Sequence, residues 1–185
     1  MKNMIAVFLS ALILCSALAI TACNCSRLDI PEIDIEADSI TVGFEDHSTT
    51  ELTKGSPEFT EINDEAIRIY QNICDAVEEE VPTDYLEEIE YNNKFVEIEF
   101  TDPPSVTTYT DEGEVYRILD CPGVIFVFTG ELGGYVLCGP YGSEYPSYGV
   151  LGSRRSSRNL EKMVDALLSQ ANRVLNLPFV WRLQI

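Results

Sequence analysis

A chain of 185 residues with 12 basic and 31 acidic side chains carries a formal net charge of −19 and only one histidine. That balance excludes nucleic acid as a partner, because phosphate backbones need a basic surface. One histidine and no Cys-x-x-Cys pair argue against a zinc site, and no metal or cofactor is expected.

Met1-Lys2-Asn3 supplies one positive charge, and Met4 to Ala19 is apolar apart from Ser10, Cys15 and Ser16. This is the layout of a secretory signal. Ile20-Thr21-Ala22-Cys23 then places an aliphatic residue, a β-branched one and a small one before a cysteine, which resembles the lipobox of bacterial lipoprotein precursors. The resemblance covers the first 23 residues only. It implies that residues 1–22 are a signal peptide, that Cys23 takes a diacylglyceryl group, and that cleavage just before Cys23 frees an amino group that is often acylated too. Two or more acyl chains hold a protein on a bilayer, at roughly 0.8 kcal/mol per buried methylene. The implied location is the extracytoplasmic face of the cell membrane, lipid-anchored. The competing readings are a plain cleaved signal and an uncleaved anchor, since Met4 to Ala22 is close to the ~20 residues that cross a hydrocarbon core.

Beyond residue 22 the charge is uneven: residues 23–149 hold 5 basic and 29 acidic side chains, and residues 150–185 hold 6 basic and 2 acidic. Such an acidic body favours solubility, and without an Asp-x-Asp-x-Asp-Gly loop it gives no specific sign of calcium. No internal repeat is present, and the length suits one domain over 39–185. Residues 23–38 read as an acidic tether, because Pro31 and the charge density oppose the strand-like alternation around Ile33 and Ile35. An edge strand is the alternative.

Ile40, Val42 and Phe44 alternate in a first strand, Glu45-Asp46-His47 turns the chain, and Ser48 to Thr53 returns as a second strand. Ser56-Pro57-Glu58 has the cap, first-turn proline and acid of a helix start. An apolar stripe of Ile62, Ala66, Ile69, Tyr70, Ile73, Cys74 and Val77 carries that helix towards Glu80, with Pro82 closing it. From residue 94 strands are expected at 95–100, 106–110, 115–119 and 124–128. Val124 to Phe128 is apolar enough to be a central strand buried on both faces. Gly130 to Gly134 then closes a hairpin onto Tyr135 to Cys138. A second helix is expected over 158–175, ended by Asn176 and Pro178, and Phe179 to Ile185 alternates as a last strand or a cover for the sheet. The sum is an α+β fold, a mainly antiparallel sheet of five to seven strands with two helices packed on one face.

Outside the cytoplasm Cys25, Cys74, Cys121 and Cys138 can form disulfides. Four cysteines allow three pairings; Cys121–Cys138 is the favoured one, and free buried thiols are the alternative. His47 lies in a turn with Ser and Asp neighbours, which is no support for a convergent triad. Glu97 and Glu99 share one strand face, a carboxylate pair of the type glycosidases use, in a chain where acid pairs abound. The stretch from Tyr135 through Tyr141, Tyr145 and Tyr148 to Arg154, Arg155 and Arg158 has the Tyr, Ser, Gly and Arg composition of a recognition loop. A plain strand-to-helix connection, its arginines paired to acids, is the competing reading. Two functions follow. One is a lipid-anchored module that binds an envelope protein, peptide or glycan. The other is an envelope-polymer hydrolase working through acidic residues.

Overall fold

The computed structural model describes residues 34–109, 114–141 and 147–175. The signal peptide, Cys23, Cys25, Tyr145 and the stretch 176–185 lie outside the described residues. Among those described, no helix is long and apolar enough to cross a membrane.

Twelve elements follow in order: β1 (Ser39–Gly43), β2 (Thr49–Glu51), α1 (Pro57–Gln71), β3 (Ile73–Pro82), α2 (Thr83–Asn92), β4 (Phe95–Glu99), β5 (Val106–Tyr109), β6 (Val115–Leu119), β7 (Gly123–Val127), β8 (Val136–Tyr141), β9 (Ser147–Ser153) and α3 (Arg158–Leu175). Seven strands form one sheet in the order β2-β1-β4-β7-β8-β9-β3, and β5 and β6 form a separate hairpin. Every pairing is antiparallel. The class is therefore α+β with a mainly antiparallel sheet, but with nine described strands and three helices.

Period-2 alternation gives the sheet two apolar faces. Ile40, Val42, Val96, Ile98, Val124, Phe126, Val136 and Cys138 point to one side, where Ile62, Ala66, Ile69 and Tyr70 of α1 and Leu160 and Val164 of α3 cover them. Phe95, Ile125, Val127, Leu137 and Val150 point to the other, beneath Leu86 and Ile89 of α2. All five residues of β7 are buried, as its unbroken apolar run requires. Helices thus lie on both faces, against the expectation of two helices on one, because α2 was not foreseen.

The start of α1 follows its local code: Ser56 Oγ accepts from Phe59 N at 3.1 Å, with Pro57 in the first turn. Its end does not. The helix stops at Gln71, and Asn72 closes it by donating its backbone N–H to Ile69 and its side-chain N–H to Arg68 O at 2.8 Å. The chain then forms β3, which pairs with β9, where the apolar stripe had suggested more helix. Pro82 ends β3 and is also the residue from which α2 begins. The connection expected over 139–158 instead contains the end of β8 and all of β9.

Residues 35–38, at the end of the tether sequence, dock on α1 and β4. Asn63 donates to Ile35 O at 2.8 Å and accepts from Ala37 N at 2.9 Å, and Asp38 N donates to Glu99 O at 2.8 Å. Cys121 and Cys138 are buried thiols near the Tyr70 hydroxyl and are not joined in a disulfide, and neither is Cys74. The expected Cys121–Cys138 bridge is not formed: the β7–β8 register sets Val124, not Cys121, opposite Cys138.

Candidate functional site: a groove along α2

The helix α2 is the thin layer of the fold. Leu86 and Ile89 are its buried anchors, and its two flanks carry polar residues over the sheet. On the flank towards β3, Tyr85, Glu88, Ile89 and Asn92 face Glu80, Val81 and Pro82 of β3 and Gly130, Glu131 and Leu132 of the β7–β8 turn. Together with Asn93 they enclose a groove of about 370 Å³, within the range of small-ligand pockets. Its walls join an apolar strip (Val81, Pro82, Ile89, Leu132) to a half-exposed aromatic ring, three carboxylates and two side-chain amides.

The turn that forms the groove's end is fixed by backbone geometry. Gly134 N donates to Val127 O at 2.8 Å and Gly133 N to Gly130 O at 3.1 Å. Gly130 has φ +77°, and a methyl group added there would lie 2.3 Å from Asn93 Oδ1. A glycine is needed for the left-handed conformation and for the close approach of Asn93.

Charge in the groove is one-sided. Glu80, Glu88 and Glu131 line it, and among the described residues no basic side chain does. The last turn of α2, whose carbonyl end carries the negative pole of the helix dipole, has no basic residue either. Lys94 is close in sequence but turns to the opposite face, where it meets Glu161 at 2.8 Å and Asp165 at 3.0 Å. Burial opposes its charge, yet those two carboxylates hold its pKa above the usual lysine value.

The other flank of α2 gathers acids. Glu90 lies beside Glu97 and Glu99, which point from β4 to the same face as Phe95. Burial, then Glu90, then Glu99 push Glu97 up to about 7. Burial, then Glu87 and Glu99, raise Glu90 as well. Ser39 Oγ donates to Glu99 Oε2 at 2.6 Å. Beyond Glu99 a smaller cavity of about 280 Å³ is lined by Asp38, Ser39, Thr101, Pro122 and Gly123. Hydrogen bonds from Thr101 hold the Asp38 carboxyl below its usual value. Among the described residues no group of three His, Cys, Asp or Glu side chains could hold a metal ion.

His47 belongs to this end of α2. It sits at φ 66° in the β1–β2 turn, its ring stacked on Tyr91 with centroids 4.1 Å apart. Its Nδ1 donates to Tyr91 O at 2.7 Å, while Asp46 accepts from Ser48. The three residues of the turn therefore form no Ser-His-Asp relay.

Of the Tyr/Arg stretch, Tyr135, Tyr141, Tyr148, Arg154, Arg155 and Arg158 fall among the described residues. Tyr135 precedes β8 and Tyr141 ends it, a separation of about 20 Å along an extended strand. Tyr148 lies on β9 opposite Val81. Arg155 makes a bidentate pair with Glu65 of α1, with Nη2 2.8 Å from Oε2 and 3.1 Å from Oε1. Arg154 Nη2 donates to Tyr109 O at 2.8 Å. Among the three, only Arg158, at the start of α3, is exposed. The groove itself was missed because its wall, α2, was missed. The sequence signal for it was the pair Leu86 and Ile89 at helical spacing after Pro82. No family model, curated protein or solved structure matches this chain.

Proposed function

We propose that this protein is a lipid-anchored module of the cell envelope that binds a partner in the groove between α2 and the β7–β8 turn. The anchor rests on the sequence of residues 1–23, and the binding surface rests on one observation: a cavity of about 370 Å³ with an exposed Tyr85 and convergent polar groups. From Cys23 to the first described residue the chain cannot span more than about 40 Å at full extension, so the groove works close to the bilayer. A partner within that reach, an envelope protein, peptide or glycan, fits the placement.

The hydrolase alternative draws on Glu97, whose carboxyl near pH 7 has the poise of a general acid. It is less well supported, since Glu97 lines neither the groove nor the smaller cavity. Two measurements test the proposal. Cys23→Ala should abolish the mass of the lipid and release the protein from membranes; retention without that cysteine removes the anchor. A photo-crosslinking amino acid at Tyr85 should capture envelope components that the same group at Tyr135 does not. Equal capture at both sites removes the groove.

A further inference from the structure

Resting on the groove as the binding surface, we infer that its ligand is a basic, extended peptide segment that places a lysine or arginine side chain beside Tyr85 and Glu88. Three features of the groove converge on that class. Among the described residues its charged lining is acidic only, from Glu80, Glu88 and Glu131. The helix end beside it adds negative potential with no basic residue in its last turn. Apart from the Asn92 and Asn93 amides, its uncharged lining is apolar and aromatic, with Tyr85 51% exposed.

A bare metal ion would leave the apolar strip unused, and the described residues offer no ligand set for one. A neutral sugar would stack on Tyr85 but leave the Glu88 and Glu131 carboxylates without a partner. A lysine or arginine side chain uses both parts. Its methylene stem lies on Ile89, Val81 and Leu132 while its charged head meets the carboxylates, and the face of Tyr85 attracts the same cation. The groove follows α2, which is ten residues and so about 15 Å long. That length holds four or five residues of extended chain.

The probe is a capped octapeptide of alternating Lys and Gly, compared with its Gln–Gly and Glu–Gly counterparts by calorimetry at physiological ionic strength. A protein this acidic attracts any polycation, so the site is read from paired variants of equal charge. Glu88→Gln/Glu131→Gln should weaken Lys–Gly binding about five- to tenfold, and the double variant Glu61→Gln/Asp64→Asn on exposed α1 less than twofold. Tyr85→Ala should weaken it about threefold or more, and the Glu–Gly peptide should not bind. If Lys–Gly and Gln–Gly bind alike and both respond to Tyr85→Ala, the groove stands and the basic class falls. If the two double variants weaken Lys–Gly binding equally, the attraction is diffuse and the basic class falls. If Tyr85→Ala is also without effect on every peptide, the groove falls with it.

Discussion

At the scale of single residues, Glu97 and Arg155 show how far a side chain's neighbours decide its behaviour. Glu97 is raised from 4.5 to about 7 by burial, Glu90 and Glu99. The folded state therefore holds its proton more tightly than the unfolded chain does. Between those two values the folded protein binds more protons, so stability falls as pH rises from about 4.5 through 7 and then levels. The loss attributable to Glu97 reaches up to about 3 kcal/mol. Glu97→Gln should raise the melting temperature at pH 8 and leave it nearly unchanged at pH 4.5; equal shifts at both would remove the titration argument. Arg155 gives the opposite case. Glu65 is 3% exposed, so Arg155→Ala would leave a buried carboxylate with only the more distant Arg68, 3.8 Å away. A loss of about 3 kcal/mol in denaturant unfolding is expected, partly restored by Arg155→Lys. The sequence showed Arg155 and the acids alike, but a pair 90 residues apart leaves no local mark, and the same arginine read equally well as a binding residue.

At the scale of elements, local codes were readable and long-range ones were not. The Ser56 cap, the β1–β2 turn, the Gly130–Gly134 hairpin and α3 over 158–175 each rest on neighbouring residues, and each formed where its code placed it. The switch at Asn72 depends instead on β9, whose pairing with β3 outweighs the helical spacing of Ile73, Cys74 and Val77. The β7–β8 turn offers a test of how tightly an element can be prescribed. Gly55 and Gly130 have similar φ, +82° and +77°, but only Gly130 is crowded, by Asn93. Gly55→Ala should therefore cost about 1 kcal/mol of backbone strain, and Gly130→Ala about 2. Equal losses in thermal unfolding would mean that the Asn93 contact adds nothing.

At the scale of the whole molecule, the three layers are unequal, and that inequality ties the fold to the groove. The two-sided burial of β7 could be read from Val124 to Val127, but not what lies on its second face. There the described side chains of α2 bring only Leu86 and Ile89 to the interior, too few apolar residues to stand out in a segment rich in Asp and Glu. The opposite layer brings two longer helices, with Phe59, Ile62, Ala66, Ile69, Tyr70, Leu160 and Val164 in one continuous core. Helix α2 also has no side-chain cap at its start and no basic residue at its end, so both of its termini lack the usual supports. Local opening free energies follow buried apolar contact, and α2 should open well before the sheet or α1. In native-state hydrogen exchange its amides should report an opening free energy several kcal/mol below the global value, while those of α1 and β7 approach it. Exchange of α2 at the global rate would mean that the second face is held as firmly as the first. A ligand seated between α2 and the Gly130–Gly134 turn binds only the closed form, so its affinity should appear as slower exchange in α2, with little change in α1.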